Sequence, residues 1–210
     1  MEKHLEVSLT ASYCTLNELT PKTRRVWIAF HGYGMLAKYF IRKFEKLDAT
    51  ENFIIAPQGL SKFYLEGFTG RVGASWMTKE DRLSEIDNQV TYVNQVLANE
   101  KINTQKVEII LFGFSQGVAT ACRYGAYSTL AFQKLILWAG TFPPDIPSEK
   151  TKHWGKQSEI IYFTGNQDPF FKEEMIDQQN QQVQIATGSK PQLVRFEGKH
   201  EVLPELLKDI

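Results

Sequence analysis

Short apolar runs recur along the chain, and each is about as long as one strand of a buried sheet. The run Val26 to Phe30 is apolar at every position, which is typical of a central strand whose two faces are both covered. Turn-forming residues at 20–23 precede it. The same pattern returns further along the chain. It predicts strands at 25–30, 52–57, 107–112, 134–139, 159–164 and 193–196.

Between these runs, apolar residues recur with the period of a helix. Thr78 followed by Asp81 resembles a capping box and predicts the start of a long amphipathic helix. Other helices are predicted at 36–47, after the serine motif at 113–117, over the glutamine-rich segment 171–186, and at 204–210. The apolar face of the long helix is predicted to comprise Leu83, Ile86, Val90, Val93 and Leu97.

Strands that alternate with helices predict an α/β fold with a mostly parallel sheet and helices on both faces. We expect one domain over 1–210, with no insertion long enough for a lid domain. The loose alternation at 5–19 suggests an antiparallel hairpin at the sheet edge. The glycine- and aromatic-rich segment 58–77 has no clear period, and we interpret it as an irregular pocket wall.

Charge and composition narrow the class of ligand. Lys plus Arg and Asp plus Glu are balanced at 24 each, and no basic block stands out, so neither nucleic acid nor an anionic membrane is an expected partner. No run of about 18 apolar residues and no signal-peptide core is present, which predicts a cytoplasmic protein without membrane insertion. Cys14 and Cys122 lack metal-ligand spacing, so we expect reduced thiols and no metal site.

The segment Gly113-Phe114-Ser115-Gln116-Gly117 follows an apolar run and precedes a helix pattern rich in small residues. A strand, a sharp turn and a helix around G-x-S-x-G are typical of a nucleophile elbow, with Ser115 as the nucleophile. Gly113 and Gly117 lack a Cβ and so allow strand and helix to approach closely. The alternative is an ordinary glycine-flanked loop between a strand and a helix.

A nucleophilic serine needs a base and a carboxylate, and in α/β-hydrolases these follow the serine in the order acid, then histidine. Of the four histidines, His200 follows the last strand and is the predicted base, although it could be a plain loop residue. His4 and His153 are expected at the surface, and His31 is expected to hold the glycine loop that follows it.

Asp168 lies just beyond the strand at 159–164 and is the predicted acid, although an Asp before a Pro is also a common turn residue. Asp145, beyond the preceding strand, is the alternative acid. The oxyanion donors are expected to be the backbone N–H groups of Gln116, directly after the nucleophile, and of Tyr33 in the glycine loop.

Four motifs together resemble the carboxylesterase/phospholipase family, which includes acyl-protein thioesterases and small bacterial esterases. They span nearly the whole chain, and a glutamine after the serine is distinctive of the family. Met35 and 170–172 depart from the family pattern and leave the substrate open. The motifs are HGYG at 31–34, GFSQG at 113–117, GNQDP at 165–169 and GKHE at 198–201.

The resemblance implies a lidless α/β-hydrolase without metal or organic cofactor that cleaves a small-molecule carboxylic ester, or a thioester or lysophospholipid, through an acyl-serine intermediate. Acyl transfer to an acceptor other than water and a catalytically silent fold that binds a small ligand or a protein are the alternatives. The oligomeric state stays open, and a homodimer is compatible with the sequence. The implied roles are nucleophile for Ser115, acid for Asp168, base for His200, oxyanion hole for the Tyr33 and Gln116 amides, and pocket wall for Trp76.

Overall fold

The apolar runs form the centre of a seven-stranded sheet in the computed structural model, which describes Met1 and residues 3–210. Its order is β1-β3-β2-β6-β7-β8-β9, and only β1, at one edge, is antiparallel to its neighbour. Strands β4 and β5 form a separate antiparallel hairpin. The strands are β1 (Tyr13–Leu16), β2 (Arg25–Phe30), β3 (Asn52–Pro57), β4 (Ser61–Tyr64), β5 (Val72–Ser75), β6 (Glu108–Phe114), β7 (Lys134–Trp138), β8 (Glu159–Gly165) and β9 (Gln192–Phe196).

Helices lie against both faces of the sheet. Their bounds are α1 (Ala37–Phe40), which continues as a 3-10 turn (Ile41–Phe44), α2 (Arg82–Asn99), α3 (Gln116–Tyr127), α4 (Ser148–Thr151), α5 (Trp154–Gln157), α6 (Glu173–Thr187) and a last 3-10 turn (Leu206–Asp209). No helix among the described residues is both long and apolar enough to span a bilayer.

Strand β2 explains why both faces are covered. Val26 and Phe30 pack into the cluster formed with α2, α3 and α6, whereas Trp27 packs into the cluster formed with α1 and the two 3-10 turns. All three side chains are fully buried, because alternate residues of a strand point to opposite faces. The mostly parallel α/β sheet predicted from the sequence is therefore confirmed.

Two segments differ from their predictions. The expected edge hairpin at 5–19 is a single strand, because Tyr13 to Leu16 pair with Pro57 to Ile54 of β3 and not with a neighbouring strand of their own. The segment 58–77 was expected to be irregular, but it contains the β4–β5 hairpin. Its glycines concealed the strands, because glycine is rare in strand patterns and Gly73 lies inside β5, where a Cβ would be 2.4 Å from the Gly34 carbonyl oxygen.

The start of α2 also differs from its prediction. Asp81 precedes the helix with a left-handed φ of 52° and makes no capping hydrogen bond through its side chain. Instead, the Glu85 carboxylate accepts a hydrogen bond from the Thr78 backbone N–H at 2.8 Å. Leu83, predicted on the buried face, is 71% exposed.

This difference between neighbouring turns of α2 is testable. Ile86 is 4% exposed and Leu83 is 71% exposed. We expect Ile86→Ala to lower the free energy of unfolding by about 2–4 kcal/mol through lost burial and a residual cavity. Leu83→Ala should change it by less than about 0.5 kcal/mol. Urea unfolding followed by circular dichroism measures both values, and equal losses would contradict this placement of the helix face.

Candidate active site

Ser115 occupies a sharp turn between β6 and α3. Its backbone has a φ of 55° and a ψ of −119°, a conformation that residues other than glycine rarely adopt. The Ser115 N–H donates to the Trp138 carbonyl oxygen at 2.9 Å, so the neighbouring strand β7 holds the turn. A Cβ on Gly113 would lie 2.4 Å from the Gly117 carbonyl oxygen, and one on Gly117 would lie 2.1 Å from that of Phe30. This is the glycine requirement of a nucleophile elbow.

His200 and Ser115 are brought together by two loops at the same edge of the sheet. The Ser115 hydroxyl lies 2.9 Å from His200 Nε2. The loop that carries His200 is hydrogen-bonded to β7, because the Trp138 indole N–H donates to the Glu201 carbonyl oxygen at 2.8 Å. Trp138 therefore contacts both loops, through its backbone oxygen on one side and its indole on the other.

Asp168 lies on the far side of the His200 ring. Its Oδ2 accepts a hydrogen bond from His200 Nδ1 at 2.7 Å, and its Oδ1 accepts one from the Phe170 N–H at 2.9 Å. The side chain of Asp168 is fully buried. Because Asp168 Oδ2 accepts this hydrogen bond, Nδ1 carries the imidazole proton, and Nε2 is left as the acceptor that faces the Ser115 hydroxyl.

The loops of Asp168 and His200 approach closely at a glycine that the sequence did not single out by itself. A Cβ on Gly165 would lie 2.5 Å from the Gly198 carbonyl oxygen. The Gln167 N–H donates to the same oxygen at 2.9 Å, and the Asn166 N–H donates to the Phe196 carbonyl at 3.0 Å. These contacts hold the carboxylate within reach of the imidazole.

The alternative acid, Asp145, is engaged elsewhere. Its carboxylate accepts two hydrogen bonds from Arg123, at 2.8 and 3.2 Å, and forms an ion pair with Arg82 at 2.5 Å. Burial raises the pKa of Asp145, but the contacts with Arg123 and Arg82 outweigh burial and lower it below its ordinary value. Asp145 thus belongs to an ion-pair cluster, and the carboxylate that contacts His200 is that of Asp168.

Three phenylalanines surround the His200 ring, and sequence reasoning did not assign them to the site. The ring centroids of Phe114, Phe170 and Phe171 lie 5.0, 4.9 and 6.4 Å from that of His200. Phe170 is 65% exposed and so presents an apolar surface beside the His200 ring. The signal was available, since positions 170 and 171 depart from the family pattern.

The glycine loop after β2 rests on His31, as expected from the sequence. His31 is fully buried, its Nδ1 donates to the Gly32 carbonyl oxygen at 2.8 Å, and its Nε2 accepts from the Gly59 N–H at 3.0 Å. Burial lowers the pKa of His31 to about 4, and the hydrogen bond to Gly32 opposes this only in part. The imidazole is therefore a neutral structural group.

The structure places the remaining predicted residues around this loop. The backbone N–H groups of Tyr33 and Gln116 have no acceptor among the residues that the structure describes, so both are free to receive a ligand oxygen. The Tyr33 side chain is 62% exposed. Trp76 is only 1% exposed, so its ring presents almost no surface to a ligand. Its indole N–H donates to the His31 carbonyl oxygen at 2.8 Å.

The described part of the chain holds no group of three or more His, Cys, Asp or Glu side chains arranged to bind a metal ion. Both cysteines are free thiols, half-buried at Cys14 and buried at Cys122. Burial raises the pKa of each thiol, which keeps both protonated and weakly reactive at neutral pH. Neither thiol lies in the arrangement of Ser115, His200 and Asp168 described above.

Comparisons with known proteins identify the family and the fold of the chain. A family model described as phospholipase/carboxylesterase matches residues 15–210. No curated protein sequence matches the chain. Among solved structures, acyl-protein thioesterase 2 of Zea mays is similar with a TM-score of 0.71 at 14% identity, covering 95% of this chain and 96% of that one. A carboxylesterase from Mesorhizobium loti is similar with a TM-score of 0.70 at 12% identity, covering 94% and 92%.

A phospholipase/carboxylesterase from Dyadobacter fermentans is similar with a TM-score of 0.65 at 18% identity, and 95% of each chain is covered. At these identities the structural likeness establishes the α/β-hydrolase fold. The match to the family model covers nearly the whole chain and establishes the family.

The buried His31 predicts a pH dependence of stability. Its folded pKa of about 4 lies below the ordinary value of 6.5, so the unfolded chain binds more protons between these pH values. The contribution of neutral His31 to the free energy of unfolding is fully present above pH 6.5, and it falls by roughly 3 kcal/mol as the pH drops to 4.

Urea unfolding of the wild type and of His31→Gln at pH 4 to 7 measures this effect. The free energy of unfolding should decline less steeply with falling pH in His31→Gln, which has no imidazole to protonate. The exposed His153 provides the control, and His153→Gln should keep the wild-type slope. An unchanged slope in His31→Gln would contradict the assignment.

Proposed function

The chain belongs to the phospholipase/carboxylesterase family of ester hydrolases, and from this premise we propose that it cleaves small carboxylic esters through an acyl intermediate on Ser115. Membership confirms the predicted class of enzyme, a carboxylic ester hydrolase. The observation that carries the proposal is the pair of hydrogen bonds on the His200 ring. Nε2 lies 2.9 Å from Ser115 Oγ, and Nδ1 lies 2.7 Å from Asp168 Oδ2.

In the proposed reaction, His200 Nε2 takes the Ser115 hydroxyl proton as Oγ attacks the ester carbonyl carbon. The carbonyl oxygen becomes an oxyanion and receives hydrogen bonds from the backbone N–H groups of Tyr33 and Gln116. His200 then protonates the leaving alcohol as the tetrahedral intermediate collapses to an acyl-serine. Asp168 stabilises the imidazolium throughout and stays ionised.

Deacylation repeats these steps with water. His200 takes a proton from a water molecule as the water oxygen attacks the acyl carbonyl carbon. His200 then returns that proton to Ser115 Oγ as the bond from Oγ to the acyl carbon breaks and the carboxylic acid leaves. A thioester would follow the same path with a thiol as leaving group. The maize structure named as an acyl-protein thioesterase is a reason to assay thioesters beside oxygen esters. The exposed Phe170 beside His200 supports an apolar group on the substrate.

Replacement of the nucleophile and of the acid tests the proposal. Ser115→Ala should lower kcat for p-nitrophenyl acetate by about 10⁶-fold and abolish labelling by a fluorophosphonate. Asp168→Asn should lower kcat by about 10⁴-fold, because the amide favours the wrong imidazole tautomer. Asp145→Asn is the matched control and should retain kcat within a few-fold. Failure of the folded wild type to react with the fluorophosphonate would overturn the proposal, and so would a loss of kcat confined to Asp145→Asn.

Phe170 leads to a prediction about the leaving group. Because His200 protonates the leaving group, a side chain whose ring centroid lies 4.9 Å from that of His200 borders the space where this group departs. Phe170→Ala should lower kcat/KM for a p-nitrophenyl ester by roughly 5- to 10-fold through lost apolar contact. The methyl ester of the same acid should change less than about 2-fold.

Ile185→Ala removes an apolar side chain that is 80% exposed on α6 and should change neither value. Equal losses for both esters in Phe170→Ala would place its effect on the acyl side or on folding and contradict the assignment.

A further inference from the structure

Residues 74–77, at the end of β5 and just beyond it, lie between the two loops that carry the proposed oxyanion donors. On one side they hold the glycine loop. The Gly34 N–H donates to the Ala74 carbonyl oxygen at 2.9 Å, and the Trp76 indole N–H donates to the His31 carbonyl oxygen at 2.8 Å. The two contacts reach the glycine loop two residues before Tyr33 and one residue after it.

On the other side, the same segment holds the nucleophile elbow through the Gln116 side chain. The Gln116 Oε1 accepts a hydrogen bond from the Trp76 backbone N–H at 3.2 Å. Its Nε2 donates to the Ser75 hydroxyl at 2.9 Å and to the Met77 carbonyl oxygen at 3.1 Å. All the polar atoms of this side chain are therefore committed to residues 75–77.

The anchors matter because the donor in the glycine loop lacks intrinsic rigidity. Tyr33 lies between Gly32 and Gly34, and Gly34 adopts a φ of 73°. Glycine permits many backbone conformations, so the direction of the Tyr33 N–H depends on contacts that fix the loop from outside. The carbonyl before Gly32 is fixed by the Trp76 indole, and the N–H after Tyr33 is fixed by Ala74.

We propose that Trp76 is a positioning residue that sets the spacing between the Tyr33 and Gln116 backbone N–H groups. It joins the two loops through its indole N–H on one side and its backbone N–H on the other. The inference rests on the proposed function, since it assigns Trp76 to the oxyanion hole of that reaction. With 1% exposure the ring acts through other groups and not through contact with substrate.

The surroundings of Trp76 make it a rigid connection. Its ring packs edge-on against Phe30, with centroids 5.4 Å apart, and lies 4.9 Å from the His31 ring. The Trp76 carbonyl oxygen accepts a hydrogen bond from the buried Gln89 side chain of α2. A displacement of Trp76 would therefore disturb the packing of the core cluster. The same packing restrains the two loops that are hydrogen-bonded to Trp76.

Trp76→Phe tests the proposal, because it removes the indole N–H and keeps an aromatic ring between Phe30 and His31. We expect kcat for a p-nitrophenyl ester to fall roughly 10- to 100-fold with KM changed less than about 3-fold, since the oxyanion exists only after attack. Affinity for a trifluoromethyl ketone, which adds to Ser115 and leaves a negative oxygen, should fall by the same factor as kcat/KM.

Trp27→Phe is the matched control. Trp27 is also fully buried, and its indole donates one hydrogen bond of 2.9 Å to the side chain of Asn52, the first residue of β3, which is part of neither loop. Its kcat should stay within about 2-fold of the wild type even if stability falls. Gln116→Met is a second variant that leaves the indole in place, and it should reproduce the loss of kcat. In the double variant, the losses of kcat from Trp76→Phe and Gln116→Met should combine less than additively. Both substitutions break the same connection through Trp76 between the glycine loop and the turn at Ser115.

An unchanged kcat in Trp76→Phe would overturn the proposal, and so would a rise in KM alone, which is the behaviour of a pocket wall. If Trp76→Phe does not fold, a Gln116→Met enzyme with wild-type kcat and ketone affinity would overturn it equally. A wild type that hydrolyses no ester would instead contradict the proposed function. An active wild type with an unimpaired Trp76→Phe variant would contradict only the positioning role.

Discussion

The site depends on how closely helix α3 approaches the carboxyl end of strand β2. At Gly117 the two backbones are so close that a Cβ would lie 2.1 Å from the Phe30 carbonyl oxygen. This contact allows β6 to pass directly into α3 and forces Ser115 into a φ of 55°. Such backbone strain costs on the order of 1–3 kcal/mol and persists only where the surroundings determine it. Here the buried strands β2 and β7, on either side of β6, determine the conformation of the turn.

Around this fixed serine, the other groups are held by contacts between loops. Trp138 contributes its carbonyl oxygen to the Ser115 turn and its indole to the His200 loop. Gly165 allows the Asp168 loop to approach the His200 loop. Residues 74–77 join the glycine loop to the elbow. The site is therefore assembled from loops that each rest on another loop or on a buried aromatic ring, and these contacts position its groups before a ligand binds.

Two histidines show how burial assigns different roles to one residue type. His31 is buried, and its Nε2 accepts a hydrogen bond from the Gly59 N–H. Burial lowers its pKa to about 4, so it supports the glycine loop as a neutral imidazole. His200 retains side-chain exposure of 21% and lies between the Asp168 carboxylate and the Ser115 hydroxyl. That arrangement is the basis for proposing it as the base.

The sequence by itself determined the alternation of strands and helices, the strand–turn–helix pattern around Ser115 and the candidates His200 and Asp168, because continuous apolar runs and glycine spacing are local properties. It could not separate the β4–β5 hairpin from an irregular loop or foresee that Leu83 is exposed. Only the tertiary structure decided that Asp145 is held by two arginines, that phenylalanines surround His200, and that Trp76 joins His31 to Gln116. Those facts are distances between residues remote in the chain, and they are set by how the strands and helices pack against one another.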